Sequence, residues 1–105
     1  MAQWDVYANP SAASREELPF FVDVQSELLG GLATRFVVPL ARAGRPLQGL
    51  PARMSPGFVI AGRSVLLVPQ EAGPVDRRML RRPVASLRAE SHRIVDALDA
   101  VISGV

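Results

Sequence analysis

The stretch FFVDVQSELLGGLATRFVVPL, Phe20 to Leu40, decides how the chain is read. Polarity alternates over Pro19 to Ser26: Phe20, Val22 and Val24 fall on one face, Phe21, Asp23 and Gln25 on the other. A period of two marks a half-buried strand. The polar face of Asp23 and Gln25 is suited to hydrogen-bonding neighbouring loops. Arg35 to Leu40 reads as the next strand, and its Pro39 marks an edge position or a bulge, because proline has no N–H for a ladder. Glu27 to Thr34 connects the two around Gly30 and Gly31. Leu28, Leu29 and Leu32 make this connection unusually apolar. Such leucines are either tucked under the sheet or offered to a partner.

Working outward, Gln3 to Ala8 alternates roughly and reads as a first strand, with Trp4, Val6 and Ala8 on one side. Asn9 to Glu17 is small and polar, hence a flexible loop. Ala41 to Pro56 carries Gly44, Pro46, Gly49, Pro51 and Pro56 and is irregular. Phe58 to Pro69 reads as a hairpin turning at Ala61-Gly62-Arg63. Gln70 to Val75 is a loop, and Met79-Leu80 a further short strand. From Pro83 the period becomes helical: Val84, Leu87, Ser91, Ile94, Leu98 and Val101 recur at spacings of three and four, with Val95 and Ile102 widening the stripe. Pro83 suits the first turn. About five strands and then one helix predict an α+β domain, a small antiparallel sheet or barrel with the helix on one face.

At 105 residues the chain is one domain, 1–105. With 49% hydrophobic and 21% charged residues it has the balance of a folded domain. A domain this small buries roughly two-thirds of its unfolded surface, so dimerisation is a natural source of extra stability. There is no cysteine and one histidine, His92, which excludes disulfides, thiolate chemistry and the usual zinc sites. Nothing calls for a cofactor. The longest charge-free apolar run, between Arg63 and Glu71, is too short for a membrane span and contains Pro69. MAQWDVYANP lacks a basic region followed by an apolar one, so no signal peptide is expected and the default compartment is the cytoplasm. All twelve basic residues are arginine and the net charge is +2. The pI of about 10.4 therefore reflects the absence of lysine, and it is weak support for nucleic-acid binding.

Catalytic patterns are poorly represented. His92 is the natural general base, with Arg88 and Asp96 four residues either side on a helix; the same triplet reads as a solvated polar stripe. Gly62-Arg63-Ser64 fits ordinary turn chemistry and is no nucleophile elbow. Gly30-Gly31 lacks the spacing and the lysine of a phosphate loop. Acidic residues are scattered without metal-ligand clustering. Arg77, Arg78, Arg81 and Arg82 form the strongest charge feature. They suit phosphates, an acidic disordered partner segment, or simply a solvated face. No aromatic residues are interleaved with them for stacking on single strands.

The Phe20 to Leu40 segment resembles the signature of the CcdB family of bacterial toxins. That family reads Val-Asp-Val-Gln-Ser, an acidic residue and two aliphatics, then Arg-x-Val-Ile-Pro-Leu. Here these are Val22 to Ser26, Glu27, Leu28, Leu29 and Arg35 to Leu40. An N-terminal strand, a hairpin at Gly62, a late helix and the ending Gly104-Val105 extend the resemblance along the chain. It implies an SH3-like barrel with a second small sheet and a C-terminal helix. It implies a homodimer that poisons DNA gyrase by binding the A subunit while its DNA is cleaved. It further implies a CcdA-like antitoxin that covers the toxin, and operator DNA bound only through that antitoxin. Gyrase-binding positions carried over are Leu28, Leu29, Asp99, Ile102, Ser103, Gly104 and Val105, with no catalytic residue and no metal. The best-known family ending is Trp-Gly-Ile, whereas Ser103-Gly104-Val105 stands here. Two alternatives stand beside this reading: an endoribonuclease of the MazF/Kid kind, which shares the barrel, and a non-toxic homologue that only binds antitoxin.

Asp96 and Asp99 lie near the helix C-terminus, where the dipole disfavours negative charge. No arginine follows Arg93 in the sequence. The expectation is an end kept acidic for a partner that supplies arginine.

Overall fold

A computed structural model describes residues 2–44 and 51–104. Seven strands are formed: β1 (Asp5–Ala8), β2 (Phe20–Asp23), β3 (Thr34–Arg42), β4 (Gly57–Ile60), β5 (Arg63–Leu67), β6 (Gly73–Asp76) and β7 (Ala85–Ser86). The helix α1 (Ser91–Ser103) follows them. The strands run in the order β4-β5-β3-β2-β1-β7, with β6 branching from β3, and every pairing is antiparallel. The result is a nearly closed antiparallel barrel with a C-terminal helix, an α+β fold of SH3-like type. All the strands belong to one sheet, and β6 branches from it by pairing the first half of β3, from Thr34↔Asp76 to Val37↔Gly73.

The alternation in β2 and β3 sorts two cores. Val6, Phe20, Val22, Val38 and Leu40 meet Phe58, Ile60, Val65 and Leu67 of the hairpin inside the barrel. Leu87, Ile94 and Ala97 close this core from the helical end. On the opposite face Tyr7, Val37 and Leu80 form a second, smaller cluster with Phe21 and Val75.

The hairpin turns on two residues, since Ile60 pairs Arg63. Ala61 and Gly62 both have positive φ, 50° and 78°, as a type I′ turn demands. Arg93 of α1 lies 4.6 Å from the Phe58 ring and donates to the Gly57 carbonyl at 3.0 Å, tying helix to hairpin.

Several elements differ from the sequence reading. Pro39 lies in the central strand. It faces the flank of β3 where β5, paired from Arg42 to Leu40, gives way to β6. The Val68 N–H donates to the Pro39 carbonyl at 2.9 Å, and the ladder needs no donor in return at this seam. β1 starts at Asp5 because Trp4 turns with φ 76°. Gly73–Asp76 is a strand that begins within the loop expected over Gln70 to Val75, and in place of a strand at Met79-Leu80 a 3-10 turn, Arg77–Met79, ends at Leu80. The helix begins at Ser91, eight residues after Pro83. Before it, the Val84 and Leu87 N–H groups donate to Val6 and Trp4 carbonyls, which draws Ala85–Ser86 onto β1 as a strand. The buried stripe of α1 is Ile94, Ala97 and Ala100, while Val95, Val101 and Ile102 are exposed. Arg88 falls in a 3-10 turn ahead of α1 and donates to the Gln3 carbonyl, so the Arg88–His92–Asp96 stripe is not continuous. Arg45–Leu50, inside the segment read as irregular, lie outside the described residues.

Candidate functional site

The connection between β2 and β3 is pinned from beneath by the polar face of β2. Asp23 is fully buried, and its Oδ2 accepts from Arg35 Nε at 2.7 Å, with Arg35 buried as well. Its other oxygen, Oδ1, accepts from the Gln25 N–H at 2.9 Å. The Gln25 amide then spans the loop: Nε2 donates to the Leu29 carbonyl at 2.7 Å and Oε1 accepts from the Phe36 N–H at 2.8 Å. Ser26 caps the 3-10 turn Glu27–Leu29 by accepting from the Leu28 N–H. Glu27 accepts from the Gln3 N–H at 2.8 Å, and Arg77 Nη1 donates to the Gly30 and Leu32 carbonyls, each at 3.2 Å.

A loop held this way has little freedom to fold its side chains inward. Leu28 is 94% exposed, and Leu29, Leu32 and Phe36 are roughly half exposed. Burying a leucine contributes about 1.5–3 kcal/mol, so a pinned loop that leaves Leu28 in water forgoes that stabilisation. The two leucines are turned outward, not tucked. Tyr7 lies on the same polar face of the sheet. Burial, then the charges of Asp5 and Asp23, push its hydroxyl pKa up, and Arg35 opposes them. The Tyr7 hydroxyl and Arg35 Nη2 are buried without a hydrogen-bond partner among the described residues.

The second group of expected site residues sits at the end of α1. Ile102 is 84% exposed. Ser103 Oγ donates to the Asp99 carbonyl at 2.7 Å, so this hydroxyl is engaged within its own helix. Gly104 ends the helix with φ 72°, its N–H donating to the Ala100 carbonyl at 3.0 Å; glycine takes this left-handed cap without strain. Asp96, Asp99 and Ser103 share a cavity of about 350 Å³ with Arg53, from the 3-10 turn Ala52–Met54. Arg53, far away in sequence, is brought to this acidic end by the fold, and among the described residues it forms no ion pair with Asp96 or Asp99. Val105 lies outside the described residues.

The structure does not pack the two groups together. α1 rests mainly on the turns Ala52–Met54 and Pro69–Glu71, while the 27–32 loop is held by Gln3, Gln25 and Arg77. The sequence expectation that the Asp23 and Gln25 face hydrogen-bonds neighbouring loops is met by Gln25, whereas the contributions of Gln3 and Arg77 to the same loop had no local signal. Among the described residues no group of three or more His, Asp or Glu could hold a metal ion, and no helix is long and apolar enough to cross a membrane.

The fold thus joins a nearly closed barrel, a C-terminal helix and a hydrogen-bonded loop whose aliphatic side chains face outward. The model of the CcdB protein family matches residues 3–104, essentially the whole chain. The chain belongs to the CcdB family and is a toxin of the toxin–antitoxin kind. No curated protein matches it.

Proposed function

We propose that this toxin acts by binding, as a homodimer, to the A subunit of DNA gyrase, and that it holds the enzyme on cleaved DNA. The outward presentation of Leu28 on a pinned loop carries the reading. An aliphatic side chain fixed in water is a ready interface anchor, because little ordering entropy is lost on docking. Leu29, Asp99, Ile102, Ser103, Gly104 and Val105 complete the surface. Ile102 supplies a second exposed apolar group from an element that does not pack on the loop, and twofold symmetry is one way to bring such patches from two chains onto one target. A CcdA-like antitoxin relieves the block, and operator DNA is bound only through that antitoxin. The action needs no catalytic group.

Light scattering of the purified chain with the gyrase A subunit tests this. The expected result is a two-chain mass for the toxin alone at micromolar concentration and a stable complex with the A subunit. A monomer that leaves the A subunit unchanged overturns it, as does RNA cleavage by the purified protein.

A further inference from the structure

The run Arg77, Arg78, Arg81, Arg82 is re-sorted by the fold. Arg77 turns away to the 27–32 loop. Arg15 joins in its place, carried by the 9–17 segment. Buried Asn9 organises that segment: its Nδ2 donates to Ser14 Oγ at 2.9 Å and to the Leu18 carbonyl at 2.8 Å, and its Oδ1 accepts from the Ser11 N–H at 2.8 Å. Arg15 is fixed against it, donating from Nε to the Asn9 carbonyl at 2.9 Å and from Nη2 to the Pro10 carbonyl at 3.3 Å. Arg15, Arg78, Arg81 and Arg82 thereby line one cavity of about 290 Å³, with Asn9 and Met79.

No acidic side chain lines this cavity. Asp76 neutralises Arg78 from beside it, at 2.7 Å. The hydrogen bond from Arg78 holds the Asp76 carboxyl down at about 2, so that pair is already satisfied. Arg81 and Arg82 are exposed and make no hydrogen bond or ion pair among the described residues. Like charges converging on one concavity repel unless an anion sits between them.

We infer that this cavity is a binding site for the phosphate groups of a small molecule, a nucleotide or a polyphosphate. Guanidinium forks match phosphate oxygens, and a phosphate brings up to two charges and three acceptor oxygens to several donors at once. One carboxylate satisfies about one fork. No aromatic side chain lines the cavity, so the ligand is held by its phosphates and its base is not stacked. The site lies on elements other than the 27–32 loop and the end of α1, and it stands whether or not gyrase is the target.

The test is thermal unfolding of the full chain at fixed ionic strength with inorganic pyrophosphate, a nucleoside triphosphate, a duplex oligonucleotide or a glutamate-rich peptide. Pyrophosphate and the triphosphate raise the Tm saturably. Arg81→Gln with Arg82→Gln weakens both by about tenfold or more while the far-UV spectrum stays unchanged. Arg63→Gln, which removes one charge above Phe20, leaves binding as it was. Should the double variant fail to fold, Arg82→Gln alone, at an exposed position, gives the same reading. The inference is overturned if Arg63→Gln weakens binding equally. It also fails if the peptide protects as well as pyrophosphate, or if only the duplex protects, which points to an extended surface.

Discussion

Asp23 and Arg35 form a buried ion pair, 2.7 Å apart, whose second carboxylate oxygen holds the Gln25 backbone. Through Gln25 this pair reaches the Leu29 carbonyl and so governs the loop that displays Leu28. Its stabilising value alone is a poor reason for such a pair, since desolvating two charges offsets most of their attraction. We read it as a positioning device for the loop.

Asp23→Ala leaves Arg35 charged and unpaired in the interior. The expected loss is about 3–5 kcal/mol, read from the urea midpoint. Asp23→Leu combined with Arg35→Met removes both charges and restores most of that stability. The double variant nevertheless binds the gyrase A subunit more weakly than the parent, because Gln25 is no longer held. Parent-like binding by the double variant contradicts the positioning role.

Tyr7 is the only tyrosine, so absorbance at 295 nm reads its ionisation without interference from another phenol. Burial raises its pKa above the ordinary value of 10.0. A raised folded value means a contribution to stability that is complete below pH 10 and lost as pH climbs through the folded pKa. Phenolate absorbance should therefore appear only above pH 10 and together with loss of structure. Tyr7→Phe deletes a buried hydroxyl that has no partner among the described residues, and should hold stability or raise it by up to about 1 kcal/mol.

Ala61 occupies a left-handed position, φ 50°, in a two-residue hairpin turn followed by Gly62. Asparagine tolerates that backbone better than alanine, and Asn-Gly is the preferred pair in this turn. Ala61→Asn should raise stability by about 0.5–1 kcal/mol, visible as a higher Tm with no change in gyrase binding.

Most of the barrel was legible in the sequence because alternation survives wherever one sheet face is buried. Phe20, Val22 and Val24 against Asp23 and Gln25 show this directly, as do Phe58–Ile60 and Val65–Leu67. The helix boundary was not legible. Val84 and Leu87 fit a helical spacing, yet their N–H groups are taken by the carbonyls of Val6 in β1 and of Trp4 just before it, a tertiary demand that no local pattern announces. Pro39 misled for a related reason: the seam between β5 and β6 is a property of topology. At the candidate site the apolar pair Leu28-Leu29 was visible. Its outward direction was not, since that depends on Gln25 and Arg77 reaching the loop backbone. The Arg53 cation beside Asp96 and Asp99, and the replacement of Arg77 by Arg15 in the arginine-lined cavity, come from segments far apart in sequence.

Leu28→Asp changes a side chain that is almost wholly in water, so its effect on folding stability should stay within about 0.5 kcal/mol. Complex formation with the gyrase A subunit should fall sharply. Asp99→Asn, at an exposed position near the helix C-terminus, should leave the fold intact or slightly more stable, since the dipole there disfavours the negative charge. It should bind gyrase more weakly at physiological salt. Parent-like binding by Asp99→Asn means that Arg53 of the same chain, and no arginine of the target, is the partner of that acidic end.

Gyrase-mediated cleavage of plasmid DNA, stopped with detergent, tests the central claim most directly. The parent protein should make linear DNA accumulate in proportion to its concentration. Leu28→Asp, and a chain lacking Ser103 to Val105, should not, although both keep the parent's far-UV spectrum. If the parent traps no cleaved DNA at concentrations that saturate its binding to the A subunit, or if Leu28→Asp traps as much as the parent, the account of this loop as a gyrase-docking surface is wrong.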